Sequence, residues 1–251
     1  MNTLLKYVEQ FHLAFLDQLG RKIDKRMYAL KGGCNLRFYF KSIRYSEDID
    51  LDIWQMRKDT LFKNIHQILL GSPLKNILRS RDIEITKISS PKQTATTQRW
   101  KIEMLVNNQN MAHTKIEFSR RETEGNALLE AIDESIISRY HFPPILLNHY
   151  DRESAIKQKL SALINRKVTQ ARDIFDLYLL LSGFVKERSS LLKVISSAQI
   201  KLADSNLLSV KYKDFQSQVI AYLEEDYQKQ YSDEKVWDLI LGKVTHLLHG
   251  D

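Results

Sequence analysis

The chain has 251 residues, enough for one large domain or two ordinary ones, with an ordinary globular balance of 43% hydrophobic and 27% charged residues. Its 38 basic and 31 acidic residues leave a net charge of +7, which is compatible with a polyanionic partner such as RNA and equally with a merely soluble surface. A single cysteine, Cys34, excludes an internal disulfide and a Cys-based zinc site. Charged residues at Lys6, Glu9 and Asp17 argue against a signal peptide, and the absence of any run of 18 apolar residues argues against a membrane span.

Leu4, Val8, Phe11, Phe15 and Leu19 recur every three or four residues, which predicts an amphipathic helix over 3–19, stopped at Gly20. Met27–Lys31 reads as a strand, Gly32-Gly33 as a break, and Cys34–Lys41 as a short helix. Residues 48–53 alternate strictly, with Asp48, Asp50 and Asp52 on one face and Ile49, Leu51 and Ile53 on the other, the period of a half-buried strand. Thr60 is a candidate cap for a helix carrying Leu61, Ile65, Ile68 and Leu69, which ends near Gly71. Strands are expected over 82–88, 98–106 and 113–119, the last two joined as a hairpin through Asn107–Asn110. Pro143-Pro144 interrupts the pattern and is the expected domain boundary, giving domains of 1–142 and 143–251. Helices are expected beyond it, one capped by Asp151, one capped by Thr169, and others over about 186–199, 211–226 and 233–249. The fold class is therefore α+β, a sheet domain followed by a C-terminal helical bundle.

Three aspartates on one strand face repel one another, which a purely structural strand has no reason to tolerate. Residues two apart on a strand lie about 7 Å apart at Cα, so two of these carboxylates can converge on one cation. Oxygen-only ligands suit Mg²⁺ or Mn²⁺. Upstream, the Gly pair leaves bare backbone N–H groups at a helix N-terminus, where a phosphate can sit. The bland alternative is a turn followed by an amphipathic strand with a solvated acidic face.

A strand, Gly-Gly, a short helix and then Ser-x-Asp-x-Asp resembles the active-site signature of the polymerase-β-like nucleotidyltransferase superfamily. The longer string Leu30-Lys31-Gly32-Gly33, Leu36-Arg37 and Arg44-Tyr45-Ser46-Glu47-Asp48-Ile49-Asp50-Leu51 resembles the AbiEii/AbiGii toxin family in particular. So does Lys159-Leu160-Ser161-Ala162-Leu163, Arg166 and Arg172-Asp173-Ile174-Phe175-Asp176-Leu177. The resemblance covers about residues 27–181 and is low between 55 and 112. It implies that Asp48, Asp50 and a third carboxylate hold one or two divalent cations. Lys115-Ile116-Glu117-Phe118, continued by Arg120-Arg121-Glu122, resembles the segment that supplies the third, and Glu103 is its rival. Gly32, Gly33 and Ser46 would cradle the phosphates of a nucleoside triphosphate. Lys159 would contact the triphosphate, while Asp173 and Asp176 would orient Lys159, bind nucleotide polar groups or position the acceptor. Cys34 departs from the small hydroxyl or apolar residue usual at its position, which puts a phosphate contact there in doubt.

The resemblance further implies a cytoplasmic prokaryotic toxin with a separately encoded antitoxin, which transfers a nucleoside monophosphate from an NTP to an acceptor hydroxyl, RNA such as tRNA foremost. Two rivals stand beside this reading: a metal-dependent nuclease or phosphodiesterase on RNA, and a catalytically silent module that binds RNA or a protein. The Gly-Gly element argues against the nuclease, which needs no triphosphate cradle.

Overall fold

The computed structural model describes residues 2–120, 125–182 and 196–249. The chain is α+β and divides into two compact units. Unit 1 comprises Met1–Lys41 and Tyr45–Asp151, and unit 2 comprises Ser42–Arg44 and Arg152–Asp251.

Unit 1 is built on a mixed sheet of seven strands in the order β3-β4-β5-β2-β1-β7-β6. The strands are β1 (Tyr28–Lys31), β2 (Asp48–Ile53), β3 (Ile83–Gln93), β4 (Thr97–Val106), β5 (Asn110–Ser119), β6 (Ala127–Ala131) and β7 (Leu146–Tyr150). Around them in the chain lie α1 (Asn2–Lys22), α2 (Gly32–Tyr39), α3 (Lys58–Leu70), α4 (Ser72–Arg79) and α5 (Glu134–Arg139). The centre of the sheet brings remote segments together: β2 pairs antiparallel with β1 and parallel with β5. Period-2 alternation decides which side chains meet. Ile49 and Leu51 on β2, Trp100, Ile102 and Met104 on β4, and Ile116 and Phe118 on β5 are fully buried. They share one core with Phe11, Phe15 and Leu16 of α1 and with Leu61 and Ile65 of α3. Residues of the opposite parity, the three aspartates among them, therefore share the other face of the sheet.

The expected strands and hairpin at 98–106 and 113–119 are present, and β5 begins three residues earlier, at Asn110. Several boundaries differ for identifiable reasons. α1 runs through Gly20 to Lys22, because a glycine within a strongly amphipathic helix costs only about 1 kcal/mol. Thr60 lies inside α3 rather than at its cap, which is Arg57. β3 extends to Gln93 past Pro91, which an edge strand tolerates. The domain boundary expected at Pro143 falls instead after Asp151. The residues following the prolines form β7, which pairs with both β1 and β6 and so belongs to the sheet. Strands β6 and β7 and helices α4 and α5 have no counterpart in the sequence-based reading.

Unit 2 contains α6 (Arg152–Asn165), α7 (Ala171–Leu181), α8 (Ser197–Ser209), α9 (Tyr212–Gln218), α10 (Glu225–Gln230) and α11 (Glu234–His249). The segment expected as one helix over 211–226 is divided between α9, a 3₁₀ turn at Ile220–Tyr222 and the start of α10. Most of the helix expected over 186–199 lies outside the described residues, as do Arg121 and Glu122. Phe175 of α7, Phe215 of α9 and Trp237 of α11 are buried together, with Phe215 stacked on Trp237 at 4.6 Å between ring centroids. The unit also takes in Ser42–Arg44 from the N-terminal half, where Arg44 forms an isolated bridge with Leu223.

Candidate active site

The acidic strand lies at the middle of the sheet, and the register fixes its neighbours. Asp50 is the partner of Glu117 on β5 and of Lys31 on β1, and Asp48 is the partner of Lys115. Strands register-matched in this way point paired side chains to the same face. Glu117 is therefore the carboxylate opposite Asp50, whereas Glu103 sits on β4, one strand further out, where it pairs with Lys87 at 3.0 Å.

The three aspartates differ in what neutralises them. Asp52 is buried, ion-paired with Lys31, and accepts a hydrogen bond from the Tyr150 hydroxyl at 2.9 Å. Asp48 is paired with Lys115 at 2.9 Å. Glu117 accepts from Arg99 Nε at 2.6 Å, the cross-strand cation opposite it. Asp50 makes no hydrogen bond or ion pair among the described residues. Burial pushes its carboxyl above the ordinary value. Lys115 and Lys31 pull the other way, while the charges of Asp48 and Glu117 push it further up.

Among the described residues, no three His, Cys, Asp or Glu side chains converge as a ready metal site. Asp48 and Glu117 are each turned to a basic partner. The donor chemistry nonetheless fits a hard divalent cation, since the groups are all carboxylates and the central one is half-buried, repelled by two others and unpartnered. A cation bound there would be held by Asp48, Asp50 and Glu117 in competition with Lys115 and Arg99.

The glycines lie against this carboxylate. Gly32 opens α2 with φ +67°, and a Cβ on it would sit 2.9 Å from Asp50 Oδ2, so only glycine fits. Lys31 precedes α2 as its N-cap without a side-chain hydrogen bond to the helix, so the amides of the first turn are available to an anion. The Ser46 hydroxyl donates to the Asp48 carbonyl at 2.9 Å, which anchors the start of β2. Cys34 is fully buried, and its thiol donates to the same carbonyl at 3.2 Å. Burial pushes that thiol well above its ordinary pKa, so it is neither a nucleophile nor an outward-facing phosphate donor.

The second motif forms a compact ion cluster inside unit 2. Lys159 of α6 lies 3.0 Å from Asp173 and 2.6 Å from Asp176, both on α7. Arg44 grips Asp176 through Nη2 at 3.1 Å, and Arg166 reaches Asp173 at 3.1 Å. Asp173 and Asp176 are buried, so the motif is not the solvated charged helix face that its spacing also allowed. Burial opposes the Asp176 charge, but Arg44 and Lys159 outweigh it and hold its carboxyl below the ordinary range. Burial likewise opposes the Lys159 charge, and the two aspartates outweigh it and raise its pKa. Of the roles open to Asp173 and Asp176, orienting Lys159 is the one this geometry favours. Arg44, Lys115 and Arg99 received no role from sequence reasoning. Arg44 stands in the quoted motif, and the Arg99–Glu117 pairing follows from hairpin register, so both carried a usable signal.

Similar folds occur in solved structures. JHP933 from Helicobacter pylori has a TM-score of 0.64 and 20% identity over 100% of this chain and 93% of that one. A putative nucleotidyltransferase from H. pylori has a TM-score of 0.64 and 21% identity, covering 100% of this chain and 96% of that one. MenT4, a nucleotidyltransferase toxin from Mycobacterium tuberculosis H37Rv, has a TM-score of 0.66 and 19% identity over 98% of this chain and 83% of that one. No curated protein matches the chain significantly. The class is that of the nucleotidyltransferases. Residues 14–239 match the family described as "Nucleotidyl transferase AbiEii toxin, Type IV TA system", and the chain belongs to that family. No helix among the described residues is long and apolar enough to cross a membrane.

Proposed function

We propose that this toxin transfers a nucleoside monophosphate from an NTP to an acceptor hydroxyl, with Asp48, Asp50 and Glu117 holding Mg²⁺ or Mn²⁺. The observation that carries the reading is Asp50, a half-buried carboxylate without a partner, set directly against the first residue of α2. The divalent cation supplies charge neutralisation at the triphosphate and a lowered pKa for the acceptor hydroxyl. Gly32 and Gly33 present their backbone amides to the phosphates, and Ser46 keeps the Asp48 backbone in place. Asp173 and Asp176 hold Lys159 charged and oriented for the triphosphate. The helices of unit 2 are read as the C-terminal bundle of a two-domain enzyme. The toxin family supports a separately encoded antitoxin and a cytoplasmic site of action, where NTPs and RNA are found.

The sheet face favours a polyanionic acceptor, RNA foremost. The register places Asp50, Glu117, Arg99 and Lys92 in one row across β2, β5, β4 and β3. In the next row, Lys101 stands directly opposite Lys115, which is itself paired with Asp48, and adds a further positive charge beyond that pair. Acid at the centre thus gives way to base over three strand spacings, about 14 Å.

Incubation with NTP labelled at the α-phosphate tests the proposal. Label transferred to RNA in a divalent-cation-dependent manner is the expected result. RNA shortening without label would establish the nuclease reading instead. Label on protein alone would reject an RNA acceptor.

A further inference from the structure

Behind the acidic strand runs a buried polar chain to which neither the motifs nor the proposed chemistry assigns a role. His12 points from α1 into the core, flanked on its own helix by Phe11, Phe15 and Leu16, and is 1% exposed. Its Nε2 lies 2.7 Å from Thr114 Oγ1 on β5, and the Thr114 hydroxyl donates to the Glu47 carbonyl at 2.7 Å. Its Nδ1 lies 3.5 Å from Cys34 Sγ, and that thiol donates to the Asp48 carbonyl at 3.2 Å, as does Ser46 at 2.9 Å.

The proton count fixes the direction of the chain. Thr114 has one hydroxyl hydrogen and gives it to Glu47, so its oxygen accepts from His12 Nε2–H. Nδ1 is then the bare nitrogen, and because the thiol gives its one hydrogen to the Asp48 carbonyl, the 3.5 Å approach of Nδ1 to Sγ is a packing contact and not a hydrogen bond. Burial holds the His12 pKa down to about 3, so the ring stays neutral and this tautomer persists at physiological pH.

The position of the two carbonyls shows what the chain is for. The β2–β5 ladder begins at Asp48, so Glu47 lies before it and its carbonyl takes a side-chain donor instead. Three side-chain donors from β5, α2 and the 42–47 connection converge on two consecutive carbonyls beneath Asp48. Apolar side chains in this space would leave the Glu47 and Asp48 carbonyls without these donors, so the polar groups hold this short stretch of backbone in one place.

We propose that His12, Thr114 and Cys34 are positioning residues, which fix the Glu47–Asp48 backbone and thereby the separation of the Asp48 and Asp50 carboxylates. The inference rests on the reading that these carboxylates hold a divalent cation. It concerns a different set of residues and fails separately.

Binding of Mn²⁺ to the full chain, followed by electron paramagnetic resonance, tests it. Wild type and Asp50→Asn first establish whether uptake depends on the carboxylates. Thr114→Val, which removes only the hydroxyl, is expected to weaken Mn²⁺ binding fivefold or more in folded protein, and Thr114→Ser to restore it to within twofold of wild type. A lowered melting temperature with less than a fivefold loss of Mn²⁺ affinity would mean a structural role only and overturn the proposal. An equal loss in Thr114→Ser would overturn the hydrogen-bond argument. If Thr114→Val does not fold, Cys34→Ala against Cys34→Ser is read by the same thresholds at the Asp48 carbonyl. Wild type that takes up no Mn²⁺, or takes it up unchanged in Asp50→Asn, rejects the metal reading itself and the positioning role with it.

Discussion

Replacing Asp50 by Asn removes one negative charge from between two others while leaving the side-chain shape almost unchanged. Glu117 stands directly opposite Asp50, and Asp48 lies two residues along on the same face. Cross-strand charge interactions are worth roughly 0.2–1 kcal/mol each, and like charges act with the unfavourable sign. Burial, the largest influence, disfavours the Asp50 charge, and with these two repulsions it outweighs the attraction of Lys115 and Lys31, so the variant gains stability at neutral pH, on the order of 1 kcal/mol. In a domain of this size that is a rise of about 2–4 °C in melting temperature. The pH dependence follows from the direction of the shift. The Asp50 carboxyl in the folded chain lies above the ordinary 3.8, so the unfolded chain ionises first as pH rises. Wild type therefore loses stability as pH climbs from the unfolded value through the folded one, and the variant does not. The advantage of Asn is absent near pH 3, below the unfolded value, and larger at pH 7. Circular dichroism melts at the two pH values measure it, and nucleotide transfer, assayed in parallel with Mg²⁺ present, is expected to vanish. A variant less stable than wild type at pH 7, or an advantage equally large at pH 3, would refute the electrostatic account. Near-wild-type turnover would refute the catalytic one.

Gly32→Ala forces a Cβ into a left-handed backbone conformation and to 2.9 Å from Asp50 Oδ2, so it is expected to cost about 1–2 kcal/mol in denaturant unfolding and to abolish transfer. Asp176→Ala leaves Arg44 and Lys159 without their shared buried partner and is expected to cost about 3–5 kcal/mol by urea titration. Because the folded Asp176 carboxyl is depressed, its contribution is present above the ordinary carboxylate range and lost as pH falls through the folded value, so the gap between this variant and wild type should close in acid. Lys159→Ala is expected to weaken NTP binding at least tenfold, about 1.4 kcal/mol, by calorimetry. Unchanged affinity in that variant, with a tenfold loss in Lys31→Ala, would move the triphosphate contact to β1.

The central strands were legible because a strand buried on one face must alternate, and 48–53, 98–106 and 113–119 all do. The same parity put both Glu117 and its rival Glu103 on the polar faces of their strands, and the resemblance carried by the Lys115–Glu122 segment is what favoured Glu117. β6 and β7 escaped notice because each is five residues long, and exposed Leu128, Leu129 and Leu146 break the alternation. With β7 unseen, Pro143-Pro144 read as the end of a domain instead of the approach to an inner strand of the sheet. The partners of the acids were hidden for another reason. Lys31–Asp52–Tyr150 and Arg44–Asp176 join residues 21 to 132 positions apart, and only the folded topology supplies such distances.

Those partners separate the acids of this chain into two kinds. Asp52, Asp173 and Asp176 are buried and held by lysine, arginine or tyrosine, so their charge is balanced within the fold and removing one strands a cation. Asp50 is the opposite case: burial and two like charges disfavour its ionised form, and no donor among the described residues relieves it. A fold that neutralises three aspartates with dedicated cations had the means to neutralise a fourth. Lys115 stands one strand away and Arg99 two strands away on the same face, but they are directed to Asp48 and Glu117. The net effect is a site whose charges are matched at its rim and unmatched at its centre, next to a helix N-terminus that has no side-chain cap. Repulsion stored at Asp50 costs stability in the free protein and is released when positive charge arrives. That exchange of folding stability for ligand affinity is the physical signature expected of a binding centre, and it is what separates Asp50 from the other aspartate side chains of its strand.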